Sequence, residues 1–264
     1  MKIIKAMGWG GITLLALLLL GANAIWIATG GAAPTGGSVI LVIQWLCVLA
    51  SLIVICIMSG YLANGRVAGI FIDDRYRLSL ARFQWVVWFV VLFSGYFTGA
   101  VWDVAYGADL PVIDPNLFGL IGITTGSAVV SNLIVNTKKD EKSSVSGADP
   151  TLDGRIDKNL SPTEASWADL YLGEEEATRA SVDVSRLQKF ITTLLLVTVY
   201  LQLLWTTFSA TWLQYHSFSM PVVGGNFITL LGASHAAYLA YKGTPKTASN
   251  STAPANVQAG PTPP

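Results

Sequence analysis

Long apolar runs separated by short polar segments dominate this sequence. Six runs reach the length of about 17–25 residues that a helix needs to cross a hydrocarbon layer of about 30 Å. They are Ile12–Ala28, Val39–Tyr61, Phe83–Trp102, Leu117–Val135, Phe190–Trp212 and Val222–Tyr241. The second and third runs contain no Lys, Arg, Asp or Glu at all. The pattern predicts an all-α, polytopic membrane bundle of six transmembrane helices.

The composition agrees with a membrane protein. Of the 264 residues, 52% are hydrophobic and only 12% are charged, whereas an ordinary soluble domain has roughly 25% charged residues. The formal net charge is zero, so no broad basic field indicates nucleic-acid binding. We therefore expect the lipid bilayer as the main environment and no nucleic-acid partner.

The basic residues are confined to alternate connections. All sixteen Lys and Arg lie before the first span, in the second and fourth connections, or after the last span. Because Lys and Arg are retained on the cytoplasmic side of membranes, the distribution predicts that both termini are cytoplasmic.

The first span has two interpretations. Lys2 and Lys5, the apolar stretch Leu14–Leu20 and the small residues before Ala24 match a secretory signal peptide with a cleavage site after Ala24. The apolar run nevertheless continues through Ile27, as in an uncleaved span. Cleavage would leave five spans with the other connections oriented as before.

The sequence also contains an internal similarity. Arg77–Gln84 aligns with Ser181–Gln188, and the stretch from Pro111 to Gly122 aligns with that from Pro221 to Gly232. We interpret the two copies as parallel transmembrane hairpin repeats, each beginning with a start box of pattern [LV]-[SD]-[LV]-[AS]-R-[FL]-Q. The start-box residues are Ser79, Arg82, Gln84, Asp183, Arg186 and Gln188.

Each start-box position has a predicted role. Ser79 and Asp183 are predicted N-caps, because their side chains accept hydrogen bonds from free N–H groups of a first helical turn. The arginines are predicted to reach lipid phosphates at the inner leaflet. The glutamines lie one step deeper and are predicted to hydrogen-bond across helices.

The start boxes, the inward spans with Gly119–Thr124 and Leu230–Tyr238, and the acidic linker between the repeats resemble a group of bacterial multi-pass membrane proteins with no assigned activity. The resemblance covers roughly Arg77–Lys242. We accordingly expect a bacterial inner (cytoplasmic) membrane as the location, while the resemblance implies no particular activity.

Small residues spaced four apart predict helix contacts, since they let helix backbones approach closely in lipid. These positions are Gly95, Gly99, Gly122, Gly126, Gly232 and Ala236. They indicate contacts within each hairpin or between the repeats, and self-association into a homo-oligomer is a further hypothesis.

Polar residues inside the spans are the candidates for intramembrane function. His235 is the ionisable one, Thr125 occupies the corresponding position in the first repeat, and Asn132 lies on the fourth span. We expect the His235 imidazole to be neutral and bonded to a neighbouring hydroxyl, and Asn132 to hydrogen-bond between helices.

The connection between the repeats is the largest soluble segment, residues 136–187. Its first half, through Asn159, is rich in Ser, Asp, Lys and Gly and is predicted to be mobile. Ser161–Glu164 resembles a helix start with a first-position proline. An amphipathic helix should follow, with Trp167, Leu170 and Tyr171 on one face, which either lies on the membrane surface or docks on the protein's own bundle or on a partner.

The sequence predicts no enzyme, with no catalytic residues, no cofactor and no metal site. The leading hypothesis is a non-enzymatic membrane scaffold or anchor whose cytoplasmic segment engages a protein partner. The alternative is a channel or transporter with a path along the polar, small-residue faces of the fourth and sixth spans. The predicted units are an N-terminal pair of spans (1–76), the first hairpin (77–138), a cytoplasmic segment (139–180), the second hairpin (181–242) and a disordered cytoplasmic tail (243–264).

Overall fold

The computed structural model describes residues 2–30, 37–143, 156–175, 178–214 and 217–244. Within these ranges the chain forms six long α-helices and no β-strand. The helices are α1 (Lys2–Gly30), α2 (Gly37–Asn64), α3 (Leu80–Ala105), α4 (Pro115–Ser143), α5 (Val184–Gln214) and α6 (Gly225–Gly243). The predicted all-α membrane bundle is confirmed, and the predicted tail beyond Thr244 lies outside the described residues.

Five of the six helices are long and apolar enough to cross a membrane. Their apolar stretches are Gly8–Thr29, Val39–Asn64, Leu80–Ala105, Pro115–Thr137 and Val184–Ala210. The remaining helix, α6, has 19 residues and is made less apolar by Asn226, His235 and Lys242. It packs along α4 and α5.

The helix contacts centre on α2, which packs against α1, α3 and α5. The core at this centre is aromatic: the Trp45 ring stacks on Phe208 with centroids 5.4 Å apart, and the Trp88 ring meets Tyr200 edge-on. All four side chains are buried. Many other apolar side chains face outwards, as expected of helices whose solvent is lipid.

The first helix is continuous across the predicted signal cleavage point. Asn23 donates a hydrogen bond to the Ser51 hydroxyl of α2 at 2.9 Å, and Ile27, on the far side of Ala24, is fully buried. Both sides of Ala24 therefore pack into the bundle. Cleavage itself stays a prediction.

Gly95 and Gly99 lie where α3 is crowded by its neighbours. A Cβ atom added at Gly95 would lie 2.6 Å from Leu204 Cδ2, and one added at Gly99 would lie 2.0 Å from Phe218 Cδ1. These two glycines are thus contact positions within the fold, as their spacing indicated.

The other small residues do not form such contacts. Gly122 and Gly126 are exposed, with nothing within 4 Å of an added Cβ, and Ala236 is also exposed. Gly232 is half-buried, and its added Cβ would lie 3.6 Å from Ile123. The prediction of a seam within the bundle is therefore wrong for Gly122, Gly126 and Ala236, because other positions face the bundle instead, such as Thr124 and Ser127 on α4 and His235 on α6. Self-association stays a prediction.

Two connections pack together at one end of the bundle: residues 65–79, between α2 and α3, and the described parts of 156–183, before α5. We call this unit the charged cap. Arg66 donates from Nη1 to the carbonyls of Pro162, Thr163 and Ala165. Asn159 donates to the carbonyls of Arg75 and Tyr76. These bonds fix one connection on the other.

Two predictions for this segment are wrong. The amphipathic helix is replaced by two short 3-10 turns, Pro162–Glu164 and Trp167–Leu170, because Ser166 and Asp169 form a capping box that starts the second turn afresh. The predicted mobile half contains the last turns of α4, through Ser143. It also contains Asp157 and Asn159, which are buried; residues 144–155 lie outside the described residues.

Candidate functional site

The two start boxes adopt the same local geometry. Ser79 caps α3 by accepting from the Arg82 N–H, and Asp183 accepts from the N–H groups of Ser185 and Arg186 at the start of α5. The first residue of each box pairs in an isolated antiparallel bridge, Leu78 with Ile72 and Val182 with Leu172. The predicted N-cap roles are confirmed, while the duplication itself stays a prediction.

The start-box arginines do not point to lipid in the predicted manner. Arg186 is 2% exposed, and its guanidinium bonds the Asp169 carbonyl and contacts Glu174. Arg82 is half-exposed and donates to the Ile72 carbonyl at 2.6 Å. The prediction is wrong for Arg186, because its guanidinium is buried inside the protein, where it binds Glu174 and the Asp169 carbonyl.

The start-box glutamines differ from each other. Gln84 is buried and donates to the Thr193 hydroxyl of α5 at 2.5 Å, which is the predicted bond across helices. Gln188 is exposed, so the same prediction is wrong there. The two boxes thus share their caps but not their deeper contacts.

Glu174 is the centre of the candidate site. Its carboxylate lies 3.1 Å from Arg75 Nη2, 2.5 Å from Arg186 Nη1 and 2.7 Å from Lys242 Nζ. These cations come from the connection after α2, the first turn of α5 and the last turn of α6. We call Glu174 and its three cations, with Asp73, which binds Arg75 at 2.7 Å, the ionic cluster. It holds three separate parts of the fold together.

Burial and charge act in opposite directions on Glu174. Burial alone raises the pKa of the carboxyl, but Lys242, Arg186 and Arg75 together outweigh it and hold the pKa well below its ordinary value. The ionised form therefore belongs to the folded state. Removing one partner from such a cluster leaves buried charges uncompensated, at a cost of about 3–5 kcal/mol.

A second buried ion-pair group stabilises the charged cap beside the ionic cluster. Arg77 Nη1 donates to Asp157 at 3.0 Å and to the Gly173 carbonyl at 2.9 Å, and Arg77 Nη2 lies 3.3 Å from Asp169. The Asp169 carboxylate also accepts from the Leu78 N–H. Both connections of the charged cap are thus tied by side chains that are themselves buried.

The stability of the fold should depend on acidic pH through Glu174. Because its pKa is lower in the folded protein than the ordinary value of 4.5, its stabilising contribution is complete above that value and is lost as the pH falls below it. The unfolding midpoint in detergent, measured between pH 7 and pH 3, should therefore fall more steeply for the wild type than for a Glu174→Gln variant. Parallel curves would contradict this assignment.

Lys189 is a further buried cation that the sequence argument assigned to a polar connection. It lies in the second turn of α5, is 1% exposed, donates to the Ser127 hydroxyl of α4 at 2.9 Å and stands 3.9 Å from the Tyr238 ring centroid. The signal that could have found it is its spacing: it follows Arg186 by three residues and so shares that helix face.

The intramembrane candidates are placed differently from one another. His235 is buried, but neither of its ring nitrogens bonds a hydroxyl among the described residues, so the predicted bond is absent. Thr125 and Asn132 are exposed, so the predicted inward role for Asn132 is wrong. The inward polar face of α4 consists instead of Thr124, Ser127 and Ser131.

The three predicted docking residues differ in how far they are exposed. Leu170 is 1% exposed and packs in a small core with Ile72 and Leu78, so its docking role is wrong for an external partner. Tyr171 is half-buried. Trp167 is 55% exposed and lies against Phe71, with ring centroids 6.0 Å apart.

Comparison with protein-family models, curated proteins and solved structures gives no match for this chain. The functional argument therefore rests on the geometry of the charged cap and of the polar residues between α4, α5 and α6.

Proposed function

We propose that this chain is a non-enzymatic scaffold of a bacterial inner membrane, with the charged cap in the cytoplasm and a protein partner docked on it. The orientation follows from the confinement of Lys and Arg to the connections at the capped end. The observation that carries the proposal is that the charged cap is a folded platform fixed on the bundle, with exposed apolar side chains.

The charged cap is held too firmly to serve as a loose linker. Buried ion pairs at Glu174 and Arg77 and the three bonds from Arg66 join its two connections. A surface fixed in this way loses little conformational entropy when a partner binds. Preorganisation of this kind suits a scaffold.

The apolar part of the platform consists of Val67, Leu160 and Trp167, which are 60%, 90% and 55% exposed. The bonds from Arg66 to residues 162–165 bring the segments that hold them together. Trp is among the residues that contribute most to protein interfaces when it is buried by a partner. We assign Trp167 as the anchor of the docking surface.

A protein partner suits this surface better than an anionic membrane does. Anionic lipid attracts polybasic segments, whereas the exposed charges of the connection before α5 are mixed: Glu164 is exposed together with Lys158 and Arg179. The other acids of this connection, Asp157, Asp169, Glu174 and Glu175, lie largely inside the charged cap. A partner with an apolar pocket is the matching chemistry.

The test is a Trp167→Ala variant, purified from native membranes after crosslinking. Loss of an anchoring Trp costs about 2 kcal/mol or more in binding free energy, which is a roughly thirtyfold loss of affinity. The protein that co-purifies with the wild type should therefore fall to background. Trp85→Ala is the matched control, since Trp85 is 44% exposed on α3 within the bundle, and should retain the partner.

A photoreactive residue at position 160 identifies what covers the platform. Adducts with one protein, absent when the photoreactive residue is at Val112 at the opposite end of the bundle, would support the scaffold. Adducts with lipid alone would refute the proposal.

A second candidate function is transport, favoured by the buried polar residues between α4, α5 and α6. Lys189, Ser127 and His235 are all at most 4% exposed and come from these three helices. Ionisable groups inside a membrane bundle are candidates for an ion or solute path. This path follows the Ser127 face of α4 rather than the Thr125 face.

Proton flux into liposomes containing the purified protein and a pH-sensitive dye separates the two functions. A flux that His235→Ala abolishes, with partner capture intact, would favour transport. Absence of flux in the wild type would leave the scaffold as the function.

A further inference from the structure

We propose that a cavity beside the ionic cluster binds a phosphate-bearing anion. The cavity has a volume of about 140 Å³ and opens between the first connection of the charged cap and the inner face of α4. Its lining includes the cations Arg75, Arg82 and Lys242, the carboxylates Asp73 and Asp74, and hydroxyl and amide side chains, among them Ser131 and Asn132. Nothing in the scaffold proposal depends on this site.

Arg75 is the first observation that points to a ligand. Its side chain is only 4% exposed, and its Nε and Nη2 atoms donate to Asp73. Its Nη1 atom is buried without a hydrogen-bond partner among the described residues. A buried guanidinium nitrogen normally has an acceptor, so an anion in the adjoining cavity would supply a missing interaction.

The cations that line the cavity are the second observation. Arg75, Arg82 and Lys242 line it together with Asp73 and Asp74, and Arg75 and Lys242 also contact Glu174. The Asp73 carboxylate is already used, since it accepts from the Arg75 and Arg77 N–H groups and from the Arg75 guanidinium. Asp74 is 77% exposed and lies 3.4 Å from Arg82, where water screens its charge.

The neutral lining groups suit phosphate oxygens. Ser131 accepts from Lys242 Nζ at 2.6 Å and also lies 3.3 Å from the Tyr238 hydroxyl, so it holds the lysine ammonium at the wall of the cavity. Asn132 is exposed towards this side of α4 and offers two amide hydrogens. Arginine and lysine together with hydroxyl and amide donors are the groups that bind phosphate in proteins.

The depth of the cavity indicates the two sources of such an anion. The apolar stretch of α4 ends at Thr137, one residue beyond Asn136, so the cavity lies at the level expected of lipid headgroups. An anionic lipid headgroup is one source, and a soluble phosphate compound is the other. The recognition chemistry is the same for both.

The experiment uses the purified full chain in zwitterionic detergent. Native mass spectrometry would measure the binding of phosphatidylglycerol and of phosphatidylcholine, and inorganic phosphate would be added as competitor. We expect the wild type to prefer phosphatidylglycerol. Arg82→Gln and Asn132→Asp should each weaken binding about tenfold, because each removes or opposes a charge-assisted hydrogen bond.

Two matched controls separate the cavity from general surface charge. Arg179→Gln removes a cation that is 61% exposed and does not line the cavity. Gln188→Glu makes the same amide-to-carboxylate change as Asn132→Asp at an exposed site on α5. Both should bind like the wild type, and unchanged unfolding midpoints would show that all four variants are folded.

The outcomes are distinct. Anionic lipid that millimolar phosphate does not displace identifies a headgroup site, whereas displacement by phosphate identifies a site for a soluble anion; either result supports the proposal. Equal binding of the two lipids without a phosphate effect would overturn it, as would anion binding that Arg82→Gln and Asn132→Asp leave unchanged.

Discussion

Replacing Glu174 by glutamine should destabilise the folded protein by about 3–5 kcal/mol, because three buried cations then lose their shared carboxylate. Arg75, Arg186 and Lys242 are each less than a tenth exposed, so water compensates little for the loss. The amide would also place its own N–H groups near some of these cations. The free energy of unfolding, measured by denaturant titration in detergent micelles, checks the prediction.

Glu164→Gln is the matched control for this change. Glu164 is exposed, and its carboxylate accepts only the Leu160 N–H among the described residues, so the substitution should cost less than about 0.5 kcal/mol. A Glu174→Gln variant as stable as this control would show that the ionic cluster does not hold the fold together.

Gly99→Ala should destabilise the bundle by up to about 3 kcal/mol through overpacking. The added methyl group would lie 2.0 Å from Phe218 Cδ1. The Phe218 ring is 3% exposed and stacks on Phe208 at 4.8 Å, so it has no free space into which to move. The unfolding midpoint of the variant should be well below that of the wild type.

Gly126→Ala provides the comparison within the same sequence pattern. Nothing lies within 4 Å of an added Cβ there, and alanine is the better helix former by up to about 1 kcal/mol. This variant should be as stable as the wild type or slightly more stable. Equal destabilisation by the two substitutions would contradict the helix packing described above.

The helices themselves could be predicted from the sequence because lipid offers backbone groups no alternative partners. An apolar run long enough to cross the bilayer is therefore a strong signal, and each of the six predicted runs corresponds to one of α1–α6, although α1 begins well before Ile12 and α4 continues well beyond Val135. The N-cap residues Ser79 and Asp183 could also be predicted from the sequence, since N-capping depends on residues only three apart.

The ionic cluster could not be predicted because its partners are distant in sequence. Glu174 meets Arg75, Arg186 and Lys242, and nothing local specifies which acid pairs with which base. The sequence pattern treated Arg186 and Lys189 as part of a polar connection. In the structure both side chains are buried at the start of α5. There Glu174 binds Arg186 and the Ser127 hydroxyl accepts from Lys189, in place of the water that would solvate these cations on the surface.

The sequence pattern predicted the wrong side of α4 to face the bundle. Thr124 and Ser127 are buried, whereas Thr125 and Gly126 are exposed. A helix in lipid buries polar residues inside the bundle and exposes apolar or small ones, but the fourth span mixes Thr, Ser and Gly on both sides. Spacing alone therefore left its rotation undetermined.

The joining of Glu174 to Lys242 has a consequence for biosynthesis. Glu174 leaves the ribosome before Arg186 and well before Lys242, so Arg75 is the one partner that is already made. Until α6 has been inserted, Glu174 lacks Lys242, one of the three cations of the ionic cluster. Completion of the ionic cluster therefore reports that insertion of the whole chain through α6 has taken place, and an assembly partner that recognises it would select finished molecules over nascent ones.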